Sequence, residues 1–293
     1  MKNRLLVVKF KGGLGNQMFQ YALYRKLKSM GRNVVADLSW FDLYDKEFSL
    51  QDVFPQVYFE SYGARKAIEE YEMAHKNRGF FCKALQKLFP VFRYNMNEKE
   101  DSIFQPEILK YKRGILDGYW QTSKYWNDIK DDIKYEFSFE KVQDEKICEL
   151  INIIKSCNTV SIHIRRGDYL LPENQVLFGN ICTLEYYEKA IDYMKKKFSD
   201  IELVFFTNDA EWVKEQFKME NVVYANDYIS DEMPDWYDMY LMSQCKHHII
   251  ANSTFSWWGA YLNDNQDKIV IAPSKWINGK LTKDIYEEEW IKI

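Results

Sequence analysis

A mostly apolar stretch from Arg4 to Phe10, with Leu5 to Val8 at its centre, ends at Lys11-Gly12-Gly13-Leu14-Gly15-Asn16-Gln17, after which Phe19, Leu23, Leu27 and Met30 recur on one face. A short apolar run predicts a buried strand, and spacings of four, four and three predict a helix with one core face. Gly31 stops that helix, and Asn33 to Leu38 supplies the next strand. This is a β-α-β unit with a glycine-rich first turn. From Ser39 to about Glu136 the period is lost; short helices are expected around 61–75 and 81–89, and residues 39–115 read as irregular.

Regularity returns after about residue 140. Ile147, Leu150, Ile151 and Ile154 form a helical stripe, followed by a β-branched strand from Thr159 to Ile164. Tyr187, Ile191, Met194 and Phe198 mark another helix, with Thr183 as its expected N-cap. Strands are expected at Ile201 to Thr207, Val222 to Ala225, His248 to Ala251 and Ile269 to Ala272, with helices near 211–217 and 235–245 between them. Alternating strands and helices imply a doubly wound parallel sheet. The chain therefore reads as two α/β lobes, residues 1–140 and 141–293.

Composition narrows the function. The 293 residues are 46% hydrophobic and 29% charged, enough for two cores. A net charge of −4 argues against a nucleic-acid binder. Aromatic residues make up 17%, an excess that suits stacking on sugars or bases. The cysteines, at 82, 148, 157, 182 and 245, are odd in number and form no close pair, as expected of reduced thiols in a cytoplasmic protein. No apolar run reaches the ~20 residues of a membrane span, so contact with a lipid-linked partner would be peripheral.

Three strand ends carry chemistry. His163-Ile164-Arg165-Arg166-Gly167-Asp168-Tyr169 puts two guanidinium forks after a buried strand, where open α/β sheets bind ligands. The bland reading is a surface turn with paired or solvated arginines. Asp209 ends another strand; it either caps the next helix or accepts the adjacent N1–H and N2–H donors of guanine. Asn252-Ser253-Thr254 meets a helix start, offering capping or phosphate donors. The 12–15 turn lacks the residues of both common nucleotide loops, since no Gly-Lys-Ser/Thr follows and Met18 replaces the third glycine. No Asp-x-Asp occurs in the chain, and His247-His248 has the wrong spacing for helical zinc ligands, so no metal is expected and the arginines would stabilise a leaving diphosphate.

Three stretches together resemble the α1,2-fucosyltransferases of glycosyltransferase family 11: Gly12 to Ala22, His163 to Tyr169, and Asn252 to Ala260. Gly118-Tyr119-Trp120-Gln121 and Phe205-Phe206-Thr207-Asn208-Asp209 stand in the matching order between them. The resemblance implies two Rossmann-like lobes of GT-B type, with the donor site in the cleft on the C-terminal lobe. It implies metal-independent, inverting transfer of L-fucose from GDP-β-L-fucose to the 2-hydroxyl of a terminal β-galactose in an oligosaccharide. Alternatives are a non-catalytic GDP-sugar binder and a transferase of another donor or linkage. Carried onto matching positions, Arg165 is the diphosphate ligand, and Arg166 is either a second ligand or a residue that orients the loop. His163 lies near guanine or ribose, Asp209 reads guanine, and Ser253, Thr254 and Ser256 give donors to phosphate. Gly13, Gly15 and Gln17 complete the donor contacts, Asp168 anchors the loop by pairing with an arginine, and Asn16 positions acceptor or phosphate. An amide is too weak a base to take the acceptor proton alone, which leaves either a carboxylate from elsewhere or a late deprotonation. Acceptor choice is expected to lie in the 39–115 region.

Overall fold

The computed structural model describes residues 5–76, 95–99, 102–230 and 232–293. The helix expected around 81–89 and Cys82 lie outside them. The chain divides into two compact units, residues 1–138 with 281–285, and residues 139–280 with 286–293. Leu281–Ile285, which the sequence pattern leaves with the second lobe, belongs to the first unit: Asp284 accepts from Lys124 Nζ at 2.7 Å and from the Phe104 backbone N–H at 2.8 Å.

The first unit contains β1 (Leu6–Lys9), α1 (Leu14–Ser29), β2 (Val34–Asp37), α2 (Ser39–Tyr44), α3 (Leu50–Val53), α4 (Ala64–Lys76), β3 (Asn95–Asn97), β4 (Gly114–Asp117) and α5 (Lys130–Glu136). Among the described residues its four strands are parallel, in the order β2-β1-β4-β3. β3 and β4 fall in the stretch that carries no readable period. β3 is Asn-Met-Asn, and β4 has only two apolar residues and opens on Gly114 at φ +117°. Tertiary pairing of β4 with β1 and of β3 with β4, not local pattern, makes them strands. Val7, Val35 and Ile115 pack with Ala64 and Ala67 of α4 to form this unit's core.

The second unit contains α6 (Glu145–Ser156), β5 (Thr159–Ile164), α7 (Pro172–Phe178), α8 (Leu184–Lys197), β6 (Glu202–Thr207), α9 (Ala210–Gln216), β7 (Val222–Tyr224), α10 (Trp236–Gln244), β8 (His247–Ile249), α11 (Thr254–Leu262), β9 (Val270–Ala272) and β10 (Ile291–Lys292). The six strands are all parallel, in the order β10-β9-β8-β5-β6-β7. β5 is buried along its whole length, which explains why its sequence is a continuous run instead of an alternation. Val160, Ile162, Leu203 and Phe205 meet Tyr187, Ile191 and Met194 of α8 in the core. Thr183 caps α8, accepting from Tyr186 N at 3.3 Å, as expected from sequence. Asp144 caps α6 through Lys146 N and Ile147 N. His247 and His248 are both core residues: His248 Nδ1 lies 2.7 Å from Ser161 Oγ, and His247 Nδ1 accepts from Ile269 N at 3.0 Å.

Strand order locates the site. Connections from β5 run to β6 and β7 on one side, and β8, β9 and β10 lie on the other, so the winding reverses between β5 and β8. Side chains cannot fill the gap left where two connections depart in opposite directions, and ligands of open α/β sheets bind there, beyond the carboxyl ends of the strands. The arginine motif follows β5, and Asn252-Ser253-Thr254 follows β8.

Candidate active site

After Ile164 the chain turns through the two arginines into a short 3₁₀ segment, Gly167–Leu170. Both arginines are pinned at Nε. Arg165 Nε lies 2.8 Å from Asp168 Oδ1; no hydrogen bond to that oxygen is made, so the contact is ionic. Arg166 Nε donates to Asp209 Oδ2 at 2.8 Å, and its guanidinium lies on the Trp212 ring, 3.8 Å from the centroid. Neither arginine's terminal nitrogens donate a hydrogen bond to any described residue. A guanidinium oriented by its own carboxylate, with the outer pair of donors left over, is arranged to receive a two-oxygen anion such as a phosphate.

Asp209 precedes α9 without capping it. Its bond to Arg166 takes one lone pair of Oδ2, which leaves acceptor sites on both carboxylate oxygens for the guanine role expected of it. Asp209 also orients Arg166, as Asp168 orients Arg165. Asn208, beside it, accepts from Arg166 N through Oδ1 at 2.9 Å and so ties the arginine turn to the end of β6.

His163 is buried at the end of β5, with Phe255 of α11 beside it at 6.0 Å between ring centroids. Burial and the neighbouring Arg165 charge push its pKa down to about 3, so the imidazole is neutral at physiological pH. Its Nδ1 is buried without a partner. At the start of α11, Ser253 Oγ accepts from Phe255 N at 3.3 Å and serves as the cap, with Thr254 half-exposed at the first helical position. Ser256 departs from expectation: it is fully buried, and its hydroxyl is directed to the Ser253 and Ala251 carbonyls at 3.3 and 3.5 Å. A hydroxyl turned into its own helix start does not reach a ligand.

Gly13, Gly15, Asn16 and Gln17 lie in the first unit, at the end of β1. Gly12 adopts φ +79°, and a Cβ there would stand 2.7 Å from Asn16 Nδ2, so only glycine fits. Gly13 has φ −71° and nothing within 4 Å of a built Cβ, so no contact within the chain explains its missing side chain. Asn16 Oδ1 accepts from Gln121 Nε2 at 2.8 Å, a contact to the Gly118-Tyr119-Trp120-Gln121 stretch after β4. Gln17 is corrected to a structural residue. It is buried, Nε2 donates to Gly12 O at 3.0 Å, and Oε1 accepts from Ser49 N at 3.3 Å.

The model of glycosyl transferase family 11 matches residues 103–293. Two Escherichia coli proteins align over almost their whole length. An O-antigen biosynthesis glycosyltransferase, WbnK, is 33% identical over 96% of this chain and 98% of its own. An alpha-1,2-colitosyltransferase is 31% identical over 99% of both. The chain belongs to glycosyltransferase family 11. A gibbon (Hylobates lar) galactoside alpha-(1,2)-fucosyltransferase 2 is 27% identical over 64% of this chain and 56% of its own.

In this family 11 chain the sequence motifs mark the arginines but not what holds them. Asn208 and Trp212 become partners of Arg166 only through the turn of β5 toward β6. On α10, Asp238 is a half-buried carboxylate whose pKa burial and nearby Asp235 raise to about 7. Gly167 is required by the same packing, since a Cβ would collide with Asn208 Nδ2. Gly167→Ala is expected to displace Asn208 and release the Arg166 backbone. The loss of about 1 kcal/mol of loop ordering should raise the donor KM roughly fivefold, with kcat less affected; steady-state kinetics at varied donor concentration measure it.

Proposed function

We propose that this family 11 enzyme transfers L-fucose from GDP-β-L-fucose to the 2-hydroxyl of a terminal β-galactose, with inversion and without a metal ion. The observation that carries the reading is the pair of arginines pinned at Nε by Asp168 and Asp209, with their outer nitrogens unengaged, at the winding reversal of the second unit. As the glycosidic bond to GDP breaks, positive charge develops on the sugar ring and negative charge on the β-phosphate. Arg165 takes the β-phosphate, Arg166 assists, and backbone N–H groups at the start of α11, with Ser253 and Thr254, supply further donors. The neutral His163 lines the nucleoside side. Asn16, oriented by Gln121, positions the acceptor hydroxyl. Metal independence is supported by a sequence without Asp-x-Asp and by an arginine pair that does the work of a cation.

A second donor has a specific observation in its favour: a relative aligned over 99% of both chains is a colitosyltransferase. Colitose lacks one ring hydroxyl of fucose, so a single hydrogen-bonding contact in the sugar pocket would separate the two. The test supplies GDP-fucose or GDP-colitose with a panel of β-galactosides in the presence of EDTA. Faster transfer from GDP-fucose, with an α1,2 linkage in the product, supports the first reading. Preference for GDP-colitose replaces the donor, loss of activity in EDTA overturns metal independence, and GDP binding without turnover on any acceptor overturns the transferase reading.

A further inference from the structure

Arg166 is held more firmly than its neighbour, and the additional restraint comes from outside the family motif. Trp212 stands three residues beyond Asp209 on α9, half-buried, packed against the core with Phe217 at 6.5 Å between ring centroids. The Arg166 guanidinium carbon lies 3.8 Å from the centre of the Trp212 ring, at stacking distance. Asp209 fixes Nε at 2.8 Å, and Asn208 fixes the backbone N–H at 2.9 Å. Plane, edge and backbone of one side chain are thus each set by a different residue of the β6–α9 turn. Among the described residues Arg165 has one ion pair, with Asp168, and no ring beneath it.

A free arginine gives up rotamer freedom when it binds an anion, whereas one already flat on an aromatic ring has given it up beforehand. The ring also shields one face from water, and so strengthens the interaction of the cation with whatever meets its outer edge.

We propose that Trp212 is a positioning residue of the donor site: it holds the Arg166 guanidinium flat, so that the two terminal nitrogens stay presented to the diphosphate of the nucleotide sugar. The proposal rests on the reading of the bound anion as a nucleoside diphosphate. A ring that merely covers the edge of the core would affect folding and leave the arginine's ligand affinity alone.

The test is a double-mutant cycle read by calorimetric titration of GDP into the full chain, with wild type, Trp212→Leu, Arg166→Ala and the double variant. Trp212→Leu should raise the GDP Kd about fivefold, and Trp212→Phe, with a smaller ring, about twofold. In the Arg166→Ala background either substitution should cost nothing further. Trp212→Leu binding GDP as wild type does, or losing as much without Arg166 as with it, overturns the proposal. If the leucine variant does not fold, the phenylalanine variant carries the cycle. The two failures are separable. If Arg166→Ala itself leaves GDP affinity unchanged, Arg166 is no diphosphate ligand and the underlying reading of that residue falls. If Arg166→Ala weakens GDP while both Trp212 variants do not, only the role of Trp212 is lost.

Discussion

Arg165→Ala should lower kcat by on the order of a hundred- to a thousandfold while the protein melts at nearly the wild-type temperature. The size follows from the part assigned to it. Removing one preorganised donor to a charge that develops in the transition state costs on the order of 3–4 kcal/mol, and the outer nitrogens of Arg165 are unengaged among the described residues, its contact with Asp168 being ionic. Stability should hardly change, because the pair with Asp168 is partly exposed and exposed pairs contribute about 0–1 kcal/mol. Arg165→Lys should be nearly as poor, since an ammonium is a point charge that cannot reproduce the planar pair of donors. Initial rates of GDP release, set beside thermal unfolding, provide the check. An alanine variant with more than about a tenth of wild-type kcat would remove Arg165 from the reaction and shift the leaving-group role to Arg166 and the α11 start.

Acidification from pH 7 to pH 5 should destabilise the second unit. His163 is buried, and its pKa lies near 3 instead of the ordinary 6.5. His248, fully buried against Ser161, is held well below 6.5 by burial and by Lys268. Between those values the unfolded chain carries protons that the folded chain refuses. Stability contributed by these groups is therefore present above about pH 6.5 and lost as pH falls toward the depressed values, at up to about 1.4 kcal/mol per pH unit for each. From pH 7 to 5 that is about 2 kcal/mol per histidine, a large part of a typical 5–15 kcal/mol. Asp238 acts with the opposite sign: with a folded pKa of about 7 it takes up a proton in the folded state first, so its contribution rises as pH falls. Being half-buried, it offsets only part of the loss. Urea unfolding at pH 7 and pH 5 measures the net effect, and His248→Gln should reduce the pH dependence by roughly the share of one histidine. A flat stability between the two pH values would mean that the imidazoles are not buried in the neutral form.

Much of this protein is determined by local sequence. Continuous apolar runs with helices between them define two parallel α/β units, because strands covered on both faces cannot alternate. The β1–α1–β2 unit, β5, β6, the Thr183 cap and the α8 core face all follow from period and capping chemistry. The motif residues at strand ends follow too, since a buried strand that runs into charged residues delivers them to the ligand-binding edge of a sheet. Tertiary structure decided what local sequence does not encode. β4 owes its existence to pairing with β1 and β3 to pairing with β4, and their own residues show no period. Leu281–Ile285 joins the first unit through Asp284, a contact across 160 residues to Lys124 and 180 to Phe104. Gln17 and Ser256 carry the right chemistry in the right motifs but turn inward, a matter of side-chain direction. At residues 163–169, each arginine's role depends on which carboxylate reaches its Nε. Asp168 is three residues from Arg165, close enough to be inferred from spacing; Asp209 and Trp212 come from the next strand's turn, and only the parallel register of β5 with β6 brings them to Arg166.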